Sequence, residues 1–202
     1  MKLDHAAFDR RLMDSLRDGR VEEAATRALK TYGTEIYSLL ASIHRPDRDA
    51  DDVFSLFCEQ LWRSLPRFEG RSTFRTWAYA IAWRVSSRYR LKEQSRREVL
   101  ASSVDFAALA KQIRTSTASR LRKERSSRLR RWRETLPVDD QMLLMLRIDR
   151  ELDWKDLSRV MNPDAELSDD ELVRESARLR KRFQSVKDRL RELLREHSSS
   201  PD

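Results

Sequence analysis

Two aromatic residues and two arginines share one face of a helix that the sequence predicts over residues 74–92. With successive residues about 100° apart, this face carries Arg75, Tyr79, Trp83 and Arg90. Aromatic rings can stack on unpaired bases while arginine heads bind phosphates, so the pattern favours a site for single-stranded nucleic acid. The alternative is that Tyr79 and Trp83 pack beneath another element of the same chain.

The opposite face of this helix has the apolar stripe of an element that packs on a core. The stripe comprises Phe74, Trp77, Ala78, Ile81, Ala82 and Val85. We therefore expect the rings of Tyr79 and Trp83 to point away from the core and towards solvent.

The composition favours a polyanionic partner. The 202 residues include 42 Lys and Arg against 34 Asp and Glu, which gives a net charge of +8. A balance of this size points to nucleic acid first and to an anionic membrane surface second. No apolar run approaches the roughly 20 residues of a membrane span, so we expect no membrane insertion. The first residues lack the apolar segment of a secretory signal, so we expect a cytoplasmic protein.

The small number of turn-forming residues indicates the fold class. Three glycines and five prolines are too few for the turns of a β protein, so we predict an all-α fold. Apolar periodicity divides the chain into two small helical domains joined by a linker. Residues 1–92 form a helical bundle, 93–127 form a flexible basic linker with one helical segment at Val104–Ile113, and 128–202 form a helix-turn-helix domain with a frayed tail.

Local signals also place the helices of the two domains. In the bundle they run over Phe8–Arg17, over Val21–Ile43, from Asp49 or Asp51 to just before Pro66, and over 74–92 with Ser72 as the cap. In the second domain, a very short helix at Trp154–Met161 precedes a long one. Ser168 and Glu171 match a capping box that opens this last helix.

The chain offers no arrangement suited to catalysis or metal binding. His5, His44 and His197 lie in separate elements, and a single cysteine excludes both a disulfide and a cysteine-rich zinc site. The acid pairs Asp51-Asp52 and Asp139-Asp140 stand where helix caps belong, and we interpret them as caps. We expect no enzyme activity, no cofactor and no bound metal.

Three segments in the first half of the chain resemble bacterial RNA polymerase sigma factors, above all the small extracytoplasmic-function type. They are Asp49–Val53 (DADDV), Phe68–Trp77 (FEGRSTFRTW) and Ile81–Arg84 (IAWR). Their order and spacing are similar to the second conserved region of that family over residues 20–92. In the second half, Ser185–Leu194 (SVKDRLRELL) resembles the end of the recognition helix in the family's fourth region.

The resemblance implies three binding surfaces. Single-stranded DNA at the minus-ten promoter element would contact Arg75, Tyr79, Trp83, Arg84, Ser87 and Arg90. Duplex DNA at the minus-thirty-five element would contact Arg178, Arg180, Lys181, Arg182, Gln184 and Ser185. Core RNA polymerase would contact Asp49, Asp52, Ser55, Leu56 and Glu59. The implied partners are core RNA polymerase and promoter DNA, with an anti-sigma factor as a further one.

Three features differ from the usual pattern of the family. Ser55 and Leu56 stand where a Gln-Glu pair is usual, on the face that grips the polymerase clamp. The segment 162–175 is acidic and longer than the family's tight turn, which predicts a last helix extended by about two turns at its N-terminal end. The linker is basic, whereas the linker of the family typically carries acids.

Two other classes of function are compatible with parts of this sequence. A helix-turn-helix regulator would bind DNA without joining core polymerase, although such a protein has little use for the acidic helix before Trp62. A scaffold that binds only other proteins would have no affinity for nucleic acid.

Overall fold

The structure is a computed structural model and describes residues 4–44, 49–91, 104–124 and 134–198. All regular secondary structure in these residues is helical, which confirms the predicted all-α fold. The chain divides into two compact units, residues 1–122 and 123–202. Within the described ranges, no helix is both long enough and apolar enough to cross a membrane.

Five helices make up the described part of the first unit. They are α1 (His5–Arg17), α2 (Val21–Ile43), α3 (Asp49–Ser64), α4 (Phe74–Leu91) and α5 (Val104–Glu124), which runs just past the end of the unit; a 3₁₀ turn at Leu65–Arg67 follows α3. The first four helices lie close to their predicted positions, because their apolar residues recur with the helical period.

The start of α4 is fixed both by a local cap and by a distant residue. Thr73 Oγ1 accepts a hydrogen bond from the Thr76 N–H at 3.2 Å, so Thr73 and not the predicted Ser72 caps this helix. The Phe74 N–H donates to Asp9 Oδ1 of α1 at 3.2 Å. The first turn of α4 is therefore held by a residue 65 positions earlier in the chain.

Phe74 lies at the centre of the core that α1, α2 and α4 share. Its ring centroid is 5.5 Å from that of Phe8 and 5.6 Å from those of Tyr32 and Phe68. The large aliphatic side chains that are fully buried in this unit include Leu12, Leu29, Leu39, Leu40, Leu61 and Leu65. Burial of a side chain of this size stabilises the fold by about 1.5–3 kcal/mol, so α4 is firmly seated.

The prediction that residues 93–127 form a flexible linker is wrong for the part that forms α5. Phe106, Ala110, Ile113 and Thr117 are buried, at spacings that place them on one face of α5. Residues 104–122 belong to the first compact unit, and the helix runs beyond the predicted segment Val104–Ile113. The remaining linker residues, 93–103 and 125–127, lie outside the described ranges.

The second unit contains α6 (Val138–Leu144), a π-helical turn at Met145–Asp149, α7 (Trp154–Met161) and α8 (Asp169–Ser198). A short helix followed by a long one is the order predicted for the helix-turn-helix domain. Leu136, Leu144 and Val186 form a buried cluster against which Phe183 and Leu190 pack.

The capping box at the start of α8 is confirmed. The Ser168 N–H donates to Glu171 Oε2 at 2.8 Å, and the Glu171 N–H donates to Ser168 Oγ at 3.4 Å. The helix therefore starts at Asp169, which confirms the start predicted from the capping box. At its other end α8 includes His197 and Ser198, so these two residues are helical and not frayed, while 199–202 are outside the described ranges.

The acid pairs interpreted as caps lie inside the first turns of their helices. Asp51 and Asp52 are the third and fourth residues of α3, and Asp139 and Asp140 are the second and third residues of α6. The cap position of α6 is occupied by Pro137, which makes no side-chain cap bond. These acids still favour helix formation, since negative charge near the N-terminus complements the helix dipole.

Candidate nucleic-acid interface

The outward orientation predicted for Tyr79 and Trp83 is wrong. Only 1% of Tyr79 and 5% of Trp83 is exposed. The Tyr79 hydroxyl donates to the carboxylate of Glu35 on α2, and the same carboxylate forms an ion pair with Arg75. The reason is that α4 packs on both α2 and α3, so that the sides of the helix as well as its predicted core face are covered. The alternative that both rings pack beneath other elements is the correct one.

The exposed side of α4 is rotated by about a third of a turn from the predicted face. It is a row of residues that we call the α4 ridge: Trp77, Ala80, Arg84, Ser87, Arg88 and Leu91. Arg84 and Ser87 were predicted site residues and remain accessible there. Arg90 is also exposed, with its guanidinium carbon 5.0 Å from the centre of the Trp83 ring. Arg75 is half-buried and committed to Glu35.

Trp77 is the residue of this surface that sequence reasoning missed. It was predicted in the core stripe, yet it is half-buried on the ridge. Its ring centroid lies 5.0 Å from that of Phe68 and 5.7 Å from that of Phe74. A single aromatic ring, held from below and accessible from outside, therefore stands at the N-terminal end of the ridge.

The loop before α4 lies beside Trp77 and is shaped by Gly70. This glycine has φ +73°, a backbone conformation that residues other than glycine rarely adopt. The loop residues Glu69, Gly70 and Arg71 are exposed, and the Arg71 guanidinium pairs with Glu69 at 2.7 Å. Met13 of α1 supports the loop from beneath, since its Sδ is 3.9 Å from where a Cβ on Gly70 would stand.

The residues predicted to bind polymerase divide into an accessible and a covered group. Asp49 and Asp52 are half-buried on α3, and Leu56 is 37% exposed. Glu59 is buried and forms an ion pair with Arg63 at 2.7 Å, so the expectation that its side chain is exposed is wrong. Ser55 Oγ accepts a hydrogen bond from Arg114 Nη1 of α5 at 2.6 Å. Leu56 is thus the most accessible of the five predicted residues, while Asp49 also accepts a long hydrogen bond from the Tyr89 hydroxyl of α4 at 3.5 Å.

Five of the six predicted duplex contacts lie on the exposed surface of α8. They are Arg178, Arg180, Lys181, Gln184 and Ser185. Arg182 differs, because its Nε donates to Asp140 Oδ1 of α6 at 2.6 Å and Asp139 lies 3.9 Å from its Nη2. We therefore regard Arg182 as the residue that fixes the orientation of α8 against α6.

Trp154 at the start of α7 holds one of these exposed arginines in place. Its ring centre is 5.6 Å from the guanidinium carbon of Arg180 and 4.8 Å from that of Arg147. Its ring also meets Phe183 edge-on at 5.6 Å. The heptad-like apolar stripe of α8 gave no sign of this contact, since the partner lies on another helix.

The acidic first turn of α8 is restrained by a lysine of α7. Lys155 Nζ donates to Asp169 Oδ1 at 2.8 Å, and this hydrogen bond lowers the pKa of the Asp169 carboxyl. The pair partly neutralises one of the three acids in the first turn of α8. In the described part of the chain, no three His, Cys, Asp or Glu side chains come together as a metal site.

Comparison with known families identifies one matching region. Residues 28–97 match the family model for sigma-70 region 2. The matching segment begins within α2, includes α3 and α4, and so contains the α4 ridge and the loop at Gly70. A search of curated proteins found no match to the chain.

Proposed function

Because residues 28–97 match sigma-70 region 2, we propose that this protein is a sigma factor of the extracytoplasmic-function type. In this function it binds core RNA polymerase, recognises promoter DNA and promotes opening of the duplex. It acts in the cytoplasm, where the chromosome is, and an anti-sigma factor is a further proposed partner. The main support is the coincidence of the matched segment with a partly accessible tryptophan, a glycine loop and a line of arginines.

The α4 ridge is the proposed contact for the single-stranded minus-ten element. Trp77 supplies the stacking surface for an unpaired base, in place of the buried Tyr79 and Trp83. Arg84 lies two turns after Trp77 and Arg88 one turn after Arg84, so both are placed to bind phosphates further along the strand. The exposed loop at Gly70 forms the wall of a pocket for a base taken out of the stack, a step that costs a few kcal/mol.

The accessible side of α3 is the proposed contact for core polymerase. Asp49 and Asp52 present negative charge, and Leu56 adds an exposed apolar side chain between them and the end of the helix. Charged residues at the rim of an interface favour rapid association, while an apolar residue at its centre contributes more to affinity.

The exposed surface of α8 is the proposed contact for duplex DNA at the minus-thirty-five element. Arginine and glutamine form bidentate hydrogen bonds with the edges of guanine and adenine, each worth about 1–3 kcal/mol of discrimination. Arg180 and Gln184 are one turn apart and both are exposed. Arg178 and Lys181 flank them and are placed to bind phosphates.

The decisive experiment combines polymerase binding with transcription. The full chain is mixed with core RNA polymerase and genomic DNA fragments of the source organism, and the 5′ ends of the transcripts are sequenced. We expect a stable complex and transcripts that start downstream of one shared pair of sequence elements. Two controls are run in parallel. One contains core polymerase alone, and the other contains core polymerase with a variant that carries both Trp77→Ala and Arg84→Ala.

Two other results would contradict the proposal. Binding to specific DNA without binding to core polymerase would identify a helix-turn-helix regulator. Binding to neither would leave only a role in protein–protein interaction.

A further inference from the structure

Three of the contacts in the described part of α5 attach it to α2 and α3. The ring centroid of Phe106 is 5.1 Å from that of Trp62 on α3. Ile113 Cδ1 lies 2.6 Å from where a Cβ on Gly33 of α2 would stand. Arg114 Nη1 donates to Ser55 Oγ at 2.6 Å. The helix therefore lies across α2 and α3 and is anchored to both.

We call the surface of α2 and α3 that α5 covers its seat, and at Gly33 the seat allows a close approach of α5. Real Cβ atoms essentially never come within 3.0 Å of another heavy atom, so any other residue at this position requires Ile113 to move. A glycine in the middle of the long helix α2 has no turn to form. Its place is explained by the close approach of the Ile113 side chain.

The seat of α5 overlaps the proposed polymerase surface. Ser55 lies one turn after Asp52 and next to Leu56 on α3, and its hydroxyl is engaged by the guanidinium of Arg114. Ser55 is also one of the two positions at which the chain differs from the usual Gln-Glu pair. A polymerase surface that approached Asp52 and Leu56 would therefore meet α5 at Ser55.

The attachment of α5 is nevertheless limited. Over residues 105–117, where side-chain burial is described, its buried face consists of Phe106, Ile113 and two small residues, Ala110 and Thr117. An open groove of about 910 Å³ separates part of α5 from α2, lined by residues that include Thr26, Lys30 and Leu109. The side of α5 that carries Leu109 and Gln112 therefore borders this open groove.

We propose that α5 competes with core RNA polymerase for the surface of α3, so that α5 leaves its seat when polymerase binds. This inference rests on the proposed function. Polymerase binds only molecules in which α5 has left the surface. The apparent affinity is therefore the intrinsic affinity multiplied by the fraction of molecules in which the surface is free. If α5 is docked in nine molecules of ten, its release raises the affinity roughly 10-fold.

The test compares two substitutions that add the same charge at neighbouring positions of α5. Ile113→Glu places a carboxylate in the buried seat, whereas Gln112→Glu places one on the exposed side. Neither residue belongs to the proposed polymerase surface. We expect Ile113→Glu to bind core polymerase roughly 10-fold more tightly than the wild type in equilibrium titrations, and Gln112→Glu to bind like the wild type.

A second measurement needs no disruptive variant. Hydrogen exchange of the wild-type chain is followed with and without core polymerase. We expect amides 106–117 to exchange faster in the complex while those of α4 stay protected. Arg114→Ala, which removes only the bond to Ser55, provides a milder variant that should strengthen binding by a smaller factor.

The outcomes separate the inference from the function on which it rests. If all variants bind polymerase with equal affinity, or if 106–117 stay protected in the complex, the competition is disproved while the sigma factor function stands. If neither the wild type nor any variant binds polymerase, both are disproved.

Discussion

His44 Nε2 lies 2.7 Å from Ser86 Oγ in a buried contact that joins the end of α2 to the middle of α4. The Tyr89 ring meets the imidazole edge-on at 5.6 Å. Burial, together with the positive charge of Arg90, lowers the pKa of His44 from 6.5 to about 4, while Asp49 acts weakly in the other direction. The imidazole is therefore neutral at physiological pH and serves as a structural hydrogen-bonding group.

This contact predicts that the first unit loses stability in mild acid. The unfolded chain takes up a proton at His44 near pH 6.5 and the folded chain only near pH 4, so protonation favours unfolding. The contribution of His44 is fully present above pH 6.5 and falls by up to about 3 kcal/mol as the pH approaches 4. Urea unfolding at pH 5 and at pH 7.5 measures this slope. His44→Gln should flatten it, and an unchanged slope in that variant would assign the effect to another group.

Removing the carboxylate of Asp9 should loosen the start of α4. Asp9 Oδ1 accepts the Phe74 N–H, and loss of a cap of this kind typically costs about 1 kcal/mol. We expect Asp9→Ala to lower the free energy of unfolding by this amount and Asp9→Asn to lower it less, since an amide oxygen can still accept. Asp14→Ala, on the exposed side of the same helix, should have little effect. Equal effects of Asp9→Ala and Asp14→Ala would disprove the capping role.

Trp77 and Trp83 should respond to substitution in different ways. Trp83→Ala empties a buried site and should destabilise the fold by about 3–5 kcal/mol. Trp77→Ala should cost less stability but weaken opening of the promoter, with a loss of about 1–3 kcal/mol for one stacked base. Permanganate reactivity of the melted strand reports opening, and urea unfolding reports stability. Normal reactivity with Trp77→Ala would exclude a stacking role for this ring.

Arg182 and Lys181 are neighbours on α8 with different predicted roles. Lys181→Ala should weaken duplex binding similarly for all sequences and reduce the salt slope of log K by about 1, because one phosphate contact is lost. Arg182→Ala breaks the ion pair with Asp140 and should lower the stability of the second unit by about 1 kcal/mol. Duplex binding at several salt concentrations distinguishes the two residues. A reduced salt slope with Arg182→Ala would show that this arginine also contacts a phosphate.

The positions of the helices could be predicted because their signals are local. The apolar period and the spacing of Ser168 and Glu171 depend only on residues within a few turns of one another. The orientation of α4 could not be predicted in the same way. A helix covered on several sides has polar and aromatic residues in contact with its neighbours, so the polar side no longer marks the surface. Tyr79 and Arg75 meet Glu35 of α2, a partner that periodicity cannot reveal.

The seat of α5 was hidden for a related reason. Its buried face combines Phe106 and Ile113 with an alanine and a threonine, and its sequence is rich in serine, threonine and arginine. Such a stretch has no strong apolar period and resembles a linker. Its burial depends on Trp62 and Gly33, which are distant in the sequence.

Gly33 has a consequence for how this sequence can change over time. A glycine inside a helix destabilises it by about 1 kcal/mol relative to alanine, so mutation to alanine would be favoured if α5 did not dock. Among descendants of this protein, a bulkier residue at position 33 should therefore appear together with a smaller residue at 113, or after the docked helix has been lost. The two positions should vary as a pair, even though 80 residues separate them in the chain.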